Sequence, residues 1–135
     1  MRRLSLLLAA AAALASCTTA PSSPTQMARS QAEFQRLTAG KVAGAPISCL
    51  PHYRANDMVV IDENTIAFKD GARVYVAHMN GPCSSLGGPG YALLTRDSGG
   101  LGLCRGDIAQ VIDTSAHLTV GSCSIGEIVP YSRPG

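Results

Sequence analysis

Four cysteines, Cys49, Cys83, Cys104 and Cys123, are the side chains whose type and number point most directly to chemistry. Zinc sites of this composition draw their thiolates in closely spaced pairs, because a tetrahedral ion needs ligands from one tight turn. Here the shortest gap between two of them, Cys104 to Cys123, holds eighteen residues. The set therefore reads as two disulfides, with no metal and no cofactor. Four cysteines allow three pairings, and we expect the nested one, Cys83 with Cys104 and Cys49 with Cys123. Each bridge would contribute about 3–4 kcal/mol by restricting the unfolded chain. His52, His78 and His117 lack a shared ligand spacing. A thiolate–imidazole dyad of Cys83 and His78 would need a free thiol, which a bridge removes. Asp62 and Glu63 fall in a turn, where solvated carboxylates are routine. Arg105-Gly106-Asp107 spells an adhesion tripeptide but also a tight turn. Gly87-Gly88-Pro89-Gly90 lacks the lysine and following helix of a phosphate loop. No catalytic residue is assigned, and a non-enzymatic protein is expected.

The elements that must position these residues are mostly strands. Runs at 58–61, 65–69 and 72–79 are rich in β-branched and aromatic residues and are separated by turn residues. A three-residue loop Lys69-Asp70-Gly71 would pair Ile66 with Val74 and Phe68 with Ala72. A loop Asp62-Glu63-Asn64, with Asn64 left-handed, would pair Val60 with Ile66 and Met58 with Phe68. Met58, Val60, Ile66, Phe68, Val74 and Val76 then share one face, and Tyr75 is more exposed than Val74 and Val76. Further strands are expected at 91–96, 101–104, 118–120 and 127–129, with a turn at Asp97-Ser98-Gly99-Gly100, and 108–112 reads first as a strand and second as a short helix capped by Asp107. Between them, Ser84, Ser85, Leu86, Gly87, Gly88, Pro89 and Gly90 form a candidate recognition loop. Residues 27–40 have helix-forming composition, a stripe of Met27, Phe34 and Leu37, and Gly40 where a helix would end. The fold class is mainly β: a small antiparallel sheet, sandwich or barrel-like domain over 41–135, with one short N-terminal helix and disulfide bracing.

Arg2 and Arg3 precede an apolar run from Leu6 to Ala15, and small residues lead to Cys17. The run is too short to span a bilayer, which needs about 20 residues, and reads as a secretory signal. Leu14-Ala15-Ser16-Cys17 resembles the lipobox of bacterial lipoproteins. That resemblance implies cleavage after Ser16, fatty acyl chains on Cys17, and a membrane anchor. It also accounts for the odd fifth cysteine. Thr18, in place of an aspartate, implies the outer membrane, facing the periplasm. Residues 17–26, Pro- and Ser-rich after the cysteine, read as a flexible tether. Removing 1–16 leaves 119 residues, with nine basic and nine acidic side chains. A net charge of zero offers no electrostatic footprint for nucleic acid.

Ile47-Ser48-Cys49-Leu50-Pro51 and Leu103-Cys104-Arg105-Gly106-Asp107-Ile108, with the spacing of the four cysteines, resemble a family of small exported proteobacterial proteins. The family is known only as a domain of unknown function. The resemblance runs from about Ile47 to Pro130 and implies a domain boundary but no activity. The expected role is a lipid-anchored module that contacts the membrane through its anchor and another envelope protein through its surface. The alternative is a periplasmic inhibitor or small-ligand binder. A flat apolar patch would favour the first, a concave apolar pocket the second, and a buried carboxylate or histidine cluster an enzyme.

Overall fold

The computed structural model describes residues 22–50, 52–53, 57–96 and 99–135. It shows a mainly β protein with one helix, a curled antiparallel sheet forming half a barrel, and two disulfides. The leader 1–16, Cys17, the first part of the tether, and Asp97-Ser98 of the expected turn lie outside the described residues.

The helix, α1, spans Pro24–Thr38 rather than 27–40. Ser23 caps it by accepting the Gln26 N–H at 3.2 Å, and Pro24 occupies the first turn, where its missing N–H costs nothing. A Ser-Pro pair that reads as linker is thus the start of the helix. Past its C-terminal end, Gly40 takes the left-handed conformation at φ +67°, as expected of a helix stop.

The strands are β1 (Val42–Ala43), β2 (Cys49–Leu50), β3 (Met58–Asp62), β4 (Thr65–Asp70), β5 (Arg73–Met79), β6 (Tyr91–Thr95), β7 (Leu103–Cys104), β8 (Ile108–Asp113) and β9 (Leu118–Ser132). The main sheet runs β3-β4-β5-β9-β8-β6, with β1 also on β9, and β2 pairs with β7 separately. β9 is the spine. Its first half pairs with β8, its second half with β5, and its end also with β1. The sequence suggested two short strands at 118–120 and 127–129. One fifteen-residue strand is present instead, broken in register opposite β8 and again opposite β5. Such bulges let a strand bend without ending.

The β3–β4 register is as expected, with Val60 opposite Ile66 and Met58 opposite Phe68. The turn differs: Asp62 pairs with Thr65 across the bulge. The Asn64 N–H is held by Asp62 Oδ1 at 2.8 Å, and Asn64 is not left-handed. The β4–β5 register is a correction. Asp70 pairs with Arg73, so Phe68 faces Tyr75 and Ile66 faces Ala77. This lies three residues from the expected pairing, and an odd shift sends Val74 and Val76 to the opposite face. Both faces of this half-sheet are buried, so apolar alternation could not choose between them. The inner face packs Ile66, Phe68, Ala77, Met79, Ile125 and Ile128 into the main core. The outer face packs Ala67, Val74 and Val76 under Phe34 and Leu37 of α1. Phe34 meets Tyr131 edge-on, with ring centres 5.8 Å apart. Tyr75 is indeed more exposed than Val74 and Val76, but because α1 covers the two valines. Met27 contributes little to the stripe, being 55% exposed.

The disulfides are Cys49–Cys104 and Cys83–Cys123, interleaved rather than nested. The β2–β7 ladder sets Cys49 directly opposite Cys104. The chain after β5 runs back along β9, with Asn80 N–H on the Ser124 carbonyl at 2.9 Å, and this delivers Cys83 to Cys123.

Candidate functional site

Two regions collect exposed features. The first is the outer face of the β6–β8–β9 half-sheet. On β8, Ala109 and Val111 point into the core and Ile108, Gln110 and Ile112 point out. Register then places Leu94 opposite Gln110, Ala92 opposite Ile112, and Ser124 opposite Ile108 on the same outer face. Leu94 is 44% exposed, Ile108 59% and Val120, at the β9 bulge, 46%. Ser122 and Thr119 complete the face, and none of these strand residues carries a charge. The equivalent outer face of the other half-sheet lies under α1. No described element is packed on this one. Sequence reasoning missed it, although apolar residues at both parities of 91–95 and 108–112 were its signal.

The second region is a groove beside the N-terminal half of α1. One hollow of about 410 Å³ is lined by Ser30, Gln31, Phe34, Asp62, Thr65 and His78, among others. An adjoining hollow of about 390 Å³ shares Gln26, Ser30, Ile61 and Asp62 and adds Arg29 and Gly87-Gly88-Pro89. The Ser30 hydroxyl donates to the Ile61 carbonyl at 3.0 Å and joins the helix to β3. The structure thus brings the candidate recognition loop to the helix. It also pins that loop. Leu86 is a buried core residue, and the Ser85 N–H donates to Glu63 Oε1 at 2.9 Å. The Cys83 N–H donates to the Glu63 carbonyl at 2.7 Å. Ser84, Gly87, Pro89 and Gly90 remain exposed.

The other candidates are not brought together. His52 and His117 are exposed, and His117 belongs to the β8–β9 turn. The sulfur of Cys83 is committed to Cys123, so the His78 pairing has no thiol. Asp107 of the tripeptide closes its own turn, its Oδ2 accepting the Cys104 N–H at 2.8 Å. The Gly106 N–H donates to the Ile125 carbonyl at 2.7 Å. Among the described residues, no group of three His, Cys, Asp or Glu side chains is placed to hold a metal. Nor is any described helix long and apolar enough to cross a membrane. In the β8–β9 turn, Asp113 Oδ1 accepts the Ser115 hydroxyl at 2.6 Å and the N–H groups of Ser115 and Ala116 at 2.9 Å. These donors, the Ser115 hydroxyl foremost, hold its carboxyl below the usual aspartate range.

No protein-family model matches the chain. No curated protein compared with it matches, and no solved structure does.

Proposed function

We propose that this protein is a non-enzymatic interaction module of the bacterial envelope, moored by acyl chains on Cys17 and acting through the outer face of β6, β8 and β9. The observation that carries this reading is that face: uncharged, with Leu94, Ile108 and Val120 exposed among small polar residues and Gln110, and not covered by any described element, where the matching face of the other half-sheet is sealed by a helix. Exposed contiguous apolar surface on a small domain marks a contact site for another macromolecule. The lipid anchor, the periplasmic side of the outer membrane and the four-cysteine family belong to the proposal, and the lipobox-like Leu14–Cys17 and the cysteine spacing support them. Because α1 begins at Pro24, residues 18–23 are the whole leash, about 20 Å at full extension. The partner therefore lies close to the membrane surface.

The test is photo-crosslinking in intact cells from position 94 or 108, with position 69, exposed on β4, as control. A discrete crosslinked envelope component from 94 or 108 and none from 69 is expected. Equal labelling from all three sinks the proposal. Mass spectrometry of the mature N-terminus tests the anchor separately. A second reading, a small-ligand binder, is favoured by the groove beside α1. Its walls mix apolar side chains such as Phe34 and Ile61 with Ser30, Asp62 and His78, which suits a small ligand with apolar and hydrogen-bonding parts, and perturbation of Ser30 and His78 signals by envelope extracts would support it.

A further inference from the structure

The sheet has two free rims, and they are built differently. At β3, a bulge breaks the register between Val60 and Asp62, Ser30 of α1 occupies the Ile61 carbonyl, and Gly87 lies against Val60. Bulges and covering segments are how proteins stop an edge strand from recruiting another strand. At β6 the ladder has no bulge, and among the described residues the loop covers its start, where Gly88 lies against Tyr91. Tyr91–Thr95 pairs with β8 through five uninterrupted residue pairs. Among the described residues, its opposite edge has one backbone contact, the Tyr91 N–H on the Gly88 carbonyl at 3.4 Å, and Leu93 and Thr95 have no backbone partner there. Tyr53 reaches Thr95 only through a side-chain hydroxyl contact of 2.8 Å. The strand holds no proline, glycine or charge, so the Tyr91 C=O and the N–H and C=O groups of Leu93 and Thr95 are available and nothing in the strand repels an identical one.

We infer that β6 pairs antiparallel with β6 of a second copy, joining two half-barrels into one continuous sheet. This rests on the reading of this half-sheet as an interaction surface, but not on the anchor. The occupant follows from charge and register. A heterologous strand selected by electrostatics would leave a charge on β6 or its outer face, and neither carries one. Two-fold pairing that keeps inner faces with inner faces must match residues of equal parity. The longest such overlap is centred on Leu93, placing Ala92 of each copy opposite Leu94 of the other, on the outer face. Leu94 and Ile108 of both copies then form one doubled apolar surface, the area offered to the envelope partner.

The register supplies its own test. Ala92 is exposed and Leu94 is 44% exposed, so both accept charge without disturbing the core. A92K/L94K sets lysines against lysines across the two-fold axis, and A92E/L94E sets glutamates against glutamates. A mixture of the two sets lysine against glutamate at both positions. The full chain is produced in cells with two distinguishable tags and extracted in mild detergent. Co-purification of the tags and a dimer mass by light scattering are expected for the parent. At least a tenfold loss is expected for each charged variant alone, with recovery when the two are co-expressed. Thermal unfolding checks that the variants fold; if they do not, the mass of the parent decides alone. A monomeric parent overturns the inference, as does a parent dimer indifferent to both variants. Crosslinks from position 94 to a different protein, with a monomeric parent, overturn self-pairing and leave the proposed function standing. No crosslink to any protein, itself included, removes both.

Discussion

The two disulfides should differ in worth, and the difference separates chain entropy from burial. Cys49–Cys104 closes 55 residues and Cys83–Cys123 closes 40. On loop entropy alone each contributes about 4 kcal/mol, with the longer ahead by about 0.3 kcal/mol. Burial runs the other way. Cys83 is fully buried and Cys123 is 9% exposed, both inside the main core, whereas Cys49 and Cys104 are half-buried. Replacing the buried pair by alanine leaves a void of roughly 40–50 Å³. At about 24 cal/mol per Å³ that adds roughly 1 kcal/mol, and the lost transfer of two sulfurs adds a similar amount. C83A/C123A should therefore cost about 6 kcal/mol and C49A/C104A about 4 kcal/mol. Domains of this size hold about 5–15 kcal/mol in total, so the first variant approaches the limit of folding. Urea denaturation of the two variants measures the gap, and graded reduction of the parent by a small thiol checks it independently, with Cys49–Cys104 opening first. Equal midpoints, a C49A/C104A variant that is the weaker, or Cys83–Cys123 opening first would refute the reasoning.

Gly126 has a similarly local role. A Cβ there would meet the His78 carbonyl oxygen at 2.5 Å and Asn80 Oδ1 at 2.9 Å, so Gly126→Ala must push the β5 end from β9 and should cost about 1–3 kcal/mol by thermal or urea unfolding. His117 holds φ +57°, a conformation that costs a side-chain-bearing residue about 1 kcal/mol. His117→Gly should recover part of that as a higher melting temperature. The lowered Asp113 carboxyl makes a stabilising contribution that is complete above the unfolded aspartate value, near 3.9. It is lost as pH falls through the lower folded value. An NMR titration of the Asp113 carboxyl should show that lowered midpoint, and Ser115→Ala should move it upward.

How much could be read from the sequence depended on whether the deciding neighbour was local. The β3–β4 register was legible because Val60, Ile66, Met58 and Phe68 all face the main core, and a close turn ties the strands. The β5 register was not. Val74 and Val76 are as apolar as inner residues, but the surface they bury against belongs to a helix some forty residues earlier. The disulfide pairing was hidden for a related reason. β2 and β7 are two residues long, too short for a periodic signature, and it is their pairing that decides which sulfurs meet. The single strand through 118–132 was not legible either: Gly121 sits beside a bulge and Gly126 permits a close backbone approach. The grooved region was half legible: the 84–90 loop was singled out, but α1 as its opposite wall was not.

The position of β9 in the chain has a consequence for how the molecule comes into being. Both halves of the sheet, and the edge piece β1, hydrogen-bond to β9, which follows every other strand in the chain. A nascent polypeptide can form the β3–β5 meander early, but no strand pairing joins it to β6 and β8 until β9 is free. Pairing of the two half-sheets therefore waits for β9, and these long-range pairings make assembly slow compared with a helical domain of the same length. Such a chain stays threadable through a narrow conduit until β9 has been synthesised.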